Sequence, residues 1–201
     1  EILSHKITEE YIKYIQNKTE DNNYGFSLHA AMLLVKEGTK SPKSRFQNPD
    51  CVRDLLYRIF GKKDEFGIPD KNYPTPLMDR YKNICNKREM RVMGEGIMKD
   101  NPLIIMMFIP PTNIKKRSIA LKRMIEDEFH EYDCVCLNSK ETTNPKKTIE
   151  DQRIKTKNKM SKAGNKKKAI IVISNKQCGL AASINFCDIT ILMHDSKNLD
   201  M

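Results

Sequence analysis

The fold is decided by the stretch Ala169-Ile170-Ile171-Val172-Ile173-Ser174, which continues as Asn175-Lys176-Gln177-Cys178-Gly179. A short and wholly apolar run is typical of a strand buried on both faces of a parallel sheet. The small and polar residues after it predict a turn and a short helix. A second apolar run then predicts another buried strand over residues 188–193. Consecutive strands joined in this way predict a parallel sheet with helical crossovers.

The same alternation extends upstream to residue 102. Apolar runs predict strands over 103–109 and 133–137, and helical spacing predicts helices over 115–129 and 148–163. Thr148 with Asp151 resembles a capping box, and Gly164 follows the second helix where left-handed geometry is common. Right-handed crossovers between these strands predict a doubly wound parallel α/β sheet over about residues 101–201.

The first hundred residues are predicted to be mostly helical. A repeat of about 3.6 residues joins Val52, Leu55, Leu56, Ile59 and Phe60, and Gly61 follows at the expected helix end. Further helices are predicted over 26–35 and 77–85, with a proline- and glycine-bearing loop over 64–76 between the later two. Glycine and proline between 93 and 102 predict a boundary, which divides the chain into parts 1–100 and 101–201.

Charge points to polyanionic partners. The formal net charge is +10, and ten basic residues stand against two acidic ones between Lys146 and Lys168. Such an excess favours nucleic acid or an acidic membrane surface as a partner. A solvated, lysine-rich surface without a partner is the alternative. No apolar stretch approaches the length of a bilayer span, and no signal peptide is recognisable.

The six cysteines predict a reducing compartment, the cytoplasm or the nucleus. None belongs to a C-x-x-C pair, and Cys134 with Cys136 alternates with apolar residues in a predicted strand. Small buried residues are therefore favoured over metal ligands. The chain also lacks a G-x-x-x-x-G-K-[ST] phosphate loop and the H-E-x-x-H and G-x-S-x-G motifs, so neither its own nucleotide loop nor a catalytic site of those types is expected.

Three predicted loops follow the carboxyl ends of strands, where open α/β sheets bind their ligands. They cover residues 110–113, 138–144 and 174–183, and each carries hydroxyls, amides or lysines that can bind phosphate. Gly179 would let the backbone approach a phosphate or ribose closely. Ordinary turns rich in capping residues are the alternative. The predicted nucleic-acid-binding residues are Thr112, Asn113, Ser139, Lys140, Ser174, Lys176 and Gln177.

Several of these stretches resemble the second RecA-like lobe, or helicase C-terminal domain, of superfamily 2 helicases from large nucleocytoplasmic DNA viruses. The similar stretches are residues 56–63, 66–70 with Tyr73-Pro74, 138–142 with Asn144-Pro145, and 174–180 through Cys187-Asp188. Together they cover about three quarters of the chain, from Asp54 to the end. One departure is Ala181, which stands where the family has an acidic residue two positions after its glycine; the alternative alignment places the family glycine at position 181.

The resemblance implies roles for the loops and for partners outside this sequence. Residues 103–113 and 138–142 would contact the nucleic-acid backbone, and 174–183 would couple that contact to the nucleotide cleft through Gly179 and Ser183. ATP and Mg²⁺ would be bound mainly by a first RecA-like lobe of the same polypeptide, with an arginine finger beyond Met201. A location in the host cytoplasm, a viral factory or the virion is also implied.

The expected function is therefore that of one motor lobe from an ATP-dependent nucleic-acid helicase. Because the chain starts without methionine and lacks the phosphate loop, the sequence is expected to be a fragment without ATPase activity of its own. A non-enzymatic basic α/β module that binds nucleic acid is the alternative. A domain that binds acidic proteins is a third possibility.

Overall fold

The computed structural model describes residues 31–35, 45–81, 101–110, 112–137, 142, 144–162, 164, 166–175 and 187–193. Its helices are α1 (Pro49–Phe60), α2 (Ile114–Glu128) and α3 (Pro145–Met160). Its strands are β1 (Leu103–Phe108), β2 (Tyr132–Cys136), β3 (Ala169–Ser174) and β4 (Ile189–Leu192). Each strand lies within one residue at either end of the run that predicted it.

The four strands form one sheet in the order β2-β3-β1-β4, and every neighbouring pair is parallel. The predicted α/β class and parallel sheet are confirmed. This order differs from the two common doubly wound orders, 3-2-1-4-5-6 and 2-1-3-4-5. A RecA-like fold therefore remains a proposal.

The central strands β1 and β3 are buried on both faces, as their continuous apolar runs predict. Alternate residues along a strand point to opposite faces. Leu103, Ile105 and Met107 accordingly join the core under α1 and α2, whereas Ile104 and Met106 join a second core under α3. The sheet therefore has helices on both faces.

Helix α2 begins directly after Asn113, which adopts a left-handed conformation with φ 49°. Ser118, Leu121 and Ile125 recur at helical spacing and are buried on one side of this helix. That side packs against the same face of the sheet as α1. The turn after β1 is therefore fixed at both ends, by the strand and by a buried helix.

Helix α3 begins three residues earlier than predicted, and the capping box at Thr148 is wrong. Asn144 is the N-cap, because its side chain accepts a hydrogen bond from the Lys147 backbone N–H at 3.0 Å. Pro145 suits the first helical position, where no backbone donor is needed. The Thr148 hydroxyl lies inside the first turn and donates to the Asn144 carbonyl at 3.0 Å. Gly164 has φ 78°, as expected for a residue after the helix.

The described part of the first hundred residues agrees with most predictions. Helix α1 ends at Phe60, with Gly61 directly after it as predicted, and residues 77–81 are helical. The helix predicted over 26–35 is wrong at its end, because residues 33–35 pair with 45–47 around an antiparallel bridge between Leu34 and Phe46. Backbone hydrogen bonds across that pair replace those of a helix. Residues 26–30 and 82–85 lie outside the described residues.

A single hydrophobic core joins the early helix to the sheet. Leu56 and Phe60 of α1 belong to the same cluster of buried side chains as Ile105 of β1 and Ile171 of β3. The boundary predicted near residue 100 stays a prediction. Across the described ranges, no helix combines the length and hydropathy needed to span a bilayer.

Candidate nucleic-acid interface

The carboxyl ends of all four strands lie along one edge of the sheet, here called the rim. The backbone N–H of Ile109 donates to the Ser174 carbonyl at 2.9 Å, and that of Leu137 donates to the Ile173 carbonyl at 2.9 Å. Met193 likewise donates to Phe108 at 2.8 Å. The chain therefore leaves Ile109, Leu137 and Ile173 at a common edge, as the parallel arrangement of β1, β2 and β3 requires.

The middle of the rim is a topological switch point. Strands β1 and β3 are neighbours, yet the chain continues from β1 to β2 and from β3 to β4, which lie in opposite directions along the sheet. Open α/β sheets bind ligands in the crevice that such a reversal leaves at the carboxyl ends of the strands. Residues that follow β1 and β3 are thus placed where a ligand is expected.

Thr112 and Asn113 both lie at this point and are exposed. The Thr112 hydroxyl oxygen accepts a hydrogen bond from Nη1 of Arg117 at 2.6 Å. The Asn113 side chain makes no capping hydrogen bond with α2. Hydroxyl and amide groups of this kind contact phosphate oxygens in nucleic-acid complexes. The structure thus places these two predicted residues at the surface of the rim.

Arg117 is a rim residue that the sequence analysis missed. Only 2% of its surface is exposed, and burial lowers the pKa of its guanidinium. Its positive charge lies in the first helical turn of α2, where the helix dipole is also positive. Its burial could have been predicted from its spacing. Arg117 precedes Leu121 by four residues and Ile125 by eight, which places it on the buried side of α2.

Ser174 is placed differently from Thr112 and Asn113. Its side chain is fully buried, and its hydroxyl donates to the Asn175 carbonyl at 3.4 Å. This geometry suits a residue that shapes the turn after β3 rather than one that touches a ligand. The other predicted site residues lie outside the described residues; they are Ser139, Lys140, Lys176, Gln177, Gly179 and Ser183.

A second charged region lies on α3 and the segment after it. Four of its basic side chains are bound to acids: Lys159 and Lys167 to Asp133, Lys168 to Glu131, and Arg153 to Glu150. The remaining lysines are exposed and form no ion pair with any described residue. We call them the α3 basic surface: Lys146, Lys147, Lys155, Lys157, Lys162 and Lys166.

A buried carboxylate fixes this region to the sheet. Asp133 on β2 is 4% exposed and accepts hydrogen bonds from Thr156 at 2.7 Å and from Lys159 at 2.9 Å, while Lys167 lies 3.1 Å away. Burial by itself would raise the pKa of Asp133, but the bonds from these three side chains hold that pKa below its usual value. Asp133 therefore stays ionised and ties α3 to the segment that follows it.

The two cysteines of β2, Cys134 and Cys136, fit a structural role. Cys134 is buried in β2, and burial raises the pKa of its thiol and of Cys136. Thiols with raised pKa values are poor nucleophiles. Among the described residues, no group of three or more His, Cys, Asp or Glu side chains is arranged to hold a metal ion.

Comparison of this chain with protein-family models, with curated proteins and with solved structures yields no match in any of the three. The function is therefore argued from the rim and the α3 basic surface.

Proposed function

We propose that this chain is the second motor lobe of an ATP-dependent superfamily 2 helicase of the kind found in large nucleocytoplasmic DNA viruses. Its rim would bind the nucleic-acid backbone. The observation that carries the proposal is the switch point between β1 and β3, where Thr112 and Asn113 are exposed above the buried Arg117.

The chemistry at the rim suits a phosphate group. The first turn of α2 directs backbone N–H groups and a partial positive charge toward the turn that carries Asn113. Arg117, whose guanidinium donates to the Thr112 hydroxyl, carries a positive charge next to that turn. Hydroxyl and amide side chains supply hydrogen bonds that do not depend on the base. The expected binding is therefore independent of sequence and weakens with salt.

ATP and Mg²⁺ are the cofactors that the proposed helicase would need. The sequence has no phosphate-binding G-x-x-x-x-G-K-[ST] loop, and among the described residues no group of three or more His, Cys, Asp or Glu side chains is placed to hold a metal ion. In the proposed enzyme both would be held mainly by a first RecA-like lobe outside this sequence. This lobe would supply a nucleic-acid contact and, through Gly179 and Ser183, which lie outside the described residues, would couple that contact to the nucleotide cleft.

The test is the substitution Thr112→Ala. We expect its affinity for a fluorescent single-stranded oligonucleotide to fall about fivefold or more, because one hydrogen bond to a charged phosphate is lost. Fluorescence anisotropy with single-stranded DNA and RNA measures the affinity. Melting curves of each variant confirm that the protein is folded at the assay temperature.

Thr112→Ser is the matched control. Serine keeps the hydroxyl that accepts from Arg117 and that would bind phosphate, so its affinity should stay close to that of the wild type. If Thr112→Ala binds single strands as tightly as Thr112→Ser, the rim is not the binding site and the proposal fails.

A non-enzymatic nucleic-acid-binding module is the second candidate. The α3 basic surface favours it, because exposed lysines bind a polyanion without a second lobe. Gene sequence on either side of this chain separates the two. A phosphate loop and an acidic magnesium motif upstream would support the motor, and a binding module needs neither.

A further inference from the structure

We propose that the α3 basic surface binds the phosphate backbone of double-stranded nucleic acid, at a site separate from Thr112 and Asn113. The lysines concerned are exposed on a rigid helix and form no ion pair with a described residue. The proposal does not require the rim to bind anything.

The geometry gives this surface a definite length. Helix α3 connects the end of β2 to the start of β3, so it runs from the rim to the opposite edge of the sheet. Lys146 and Lys147 lie in its first turn, and Lys157 near its other end donates to Asn101 at 3.3 Å. Its 16 residues span about 24 Å at about 1.5 Å per residue. That length matches about seven base pairs of duplex.

The lysines of this region divide into those that form ion pairs within the protein and those that do not. Lys159 and Lys167 form ion pairs with Asp133, which fix the end of α3 and the next segment in place. The ion pairs with Asp133 hold the α3 basic surface in position, while the lysines of that surface form no ion pair with a described acid and can bind a ligand. The acids of the helix are Glu150, which pairs with Arg153, and the exposed Asp151. The net charge presented outward is therefore strongly positive.

The apolar residues of α3 argue against a membrane as the partner. A helix that lies on a bilayer inserts an apolar face into the lipid. In α3 the apolar face packs against the sheet, where Ile149 is buried, so that face is not available to lipid. Ile154, which is 52% exposed, is the one large apolar side chain that α3 presents to solvent. Charge without an apolar face fits a phosphate backbone better.

Double strands are favoured over single strands by the lack of stacking groups. Proteins that bind single strands combine a basic groove with aromatic side chains on which bases stack. Helix α3, whose sequence is PKKTIEDQRIKTKNKM, contains no aromatic residue. A duplex presents its phosphates outward at twice the density of one strand and needs no stacking partner.

The test uses the full chain with Lys146, Lys147 and Lys155 all changed to Gln. Binding to a fluorescent duplex is measured by anisotropy between about 50 and 200 mM salt. Each lost phosphate contact should reduce the slope of log K against log salt by about 0.9, so the triple variant should lose about 2.7. Its duplex affinity at about 0.1 M salt should fall at least tenfold.

The matched control changes Arg45, Lys71 and Arg123 to Gln. These side chains are exposed, lie outside α3 and the segment after it, and carry the same total charge. The control should keep most of the duplex affinity and of the salt slope. Equal losses in the two triple variants would overturn the proposal, because net charge alone would then explain them.

Two further measurements distinguish the duplex site from a membrane-binding surface and from the rim. Binding of both triple variants to vesicles that contain phosphatidylserine is measured. If the α3 triple variant loses vesicle binding while its duplex affinity is unchanged, α3 binds membranes and the proposal is overturned. If Thr112→Ala leaves single-strand binding unchanged while the α3 triple variant still loses duplex affinity, the rim proposal fails and the α3 site stands.

Discussion

At the scale of single residues, Asp133 offers the sharpest test of stability. Asp133→Asn removes a buried carboxylate and leaves Lys159 and Lys167 without their shared partner. We expect a loss of about 3 kcal/mol in the free energy of unfolding at pH 7, as for a broken buried ion pair. Urea denaturation at a series of pH values measures it.

The pH dependence follows from the lowered pKa of Asp133. A carboxyl group whose pKa is lower in the folded protein stabilises the fold fully above its unfolded pKa of about 3.9. That stabilisation disappears as the pH falls through the folded value. The gap between the wild type and Asp133→Asn should therefore be largest at about pH 5–7 and shrink below about pH 4.

Lys159→Gln is the comparison for Asp133→Asn. It should cost less, because Lys167 and Thr156 remain to bind the carboxylate. A gap between the wild type and Asp133→Asn that stays constant from neutral to acidic pH would show that ionisation of Asp133 contributes nothing to stability.

The burial of individual charged residues was the feature of the site that the sequence predicted least well. The exposed Thr112 and Asn113 follow from a turn at a strand end, which local sequence signals well. Arg117 was missed although its spacing on the buried side of α2 was a local signal for its burial. Asp133 was missed because its partners are distant in sequence. Lys159 lies 26 residues away and Lys167 lies farther still, and no local pattern links either lysine to Asp133.

At the scale of elements, the turn that ends α1 depends on the space around a glycine. Gly61 has φ 81° and ψ 157°, a region that is almost exclusive to glycine. A Cβ there would lie 2.6 Å from the Cα of Pro76, which is backbone and cannot rotate away. Gly61→Ala should therefore cost about 3 kcal/mol or more, from backbone strain plus displacement of the Pro76 segment. Thermal or urea unfolding measures the loss.

Gly67 provides the matched comparison in the same loop. Its φ is also 81°, but a Cβ there would meet nothing within 4 Å. Gly67→Ala should therefore show only the conformational strain, about 1 kcal/mol. Equal losses at the two positions would mean that the contact with Pro76 has no energetic role.

Element boundaries were predictable where hydrophobic burial sets them. Strands β1 and β3 are short apolar runs between polar residues, so their limits can be read from the sequence. The start of α3 was misplaced because Thr148 and Asp151 fit a capping pattern, while Asn144 with Pro145 fits a different one. Competing local patterns of similar strength are decided by the packing of the whole helix, here by burial of Ile149 and Thr156.

At the scale of the whole molecule, the order of the strands could not be derived from the sequence. Alternation of strands and helices predicts parallel connections but leaves open which strands become neighbours. That choice depends on which face each helix covers. Here α2 and α3 cover opposite faces, and the chain turns back from β2 so that β3 enters between β2 and β1. The switch point of the rim results from this return.

The shared core predicts that the described early residues and the sheet unfold together. Phe60 at the end of α1 is 1% exposed, and its ring centroid lies 5.1 Å from that of Phe129 and 5.0 Å from that of Tyr132. Phe60→Ala should cost about 3–5 kcal/mol. Because the ring joins α1 to the sheet, amide hydrogen exchange should quicken in β2 and β3 as much as in α1.

Phe66→Ala is the control for that experiment, since Phe66 is 80% exposed and contributes little to the core. Its exchange pattern should match the wild type, with a change in stability of no more than about 0.5 kcal/mol. If Phe60→Ala instead quickens exchange in α1 while β2 and β3 keep their protection, the two parts unfold separately. The boundary predicted near residue 100 would then divide two cooperative units, and the sheet that carries the rim would be stable without α1.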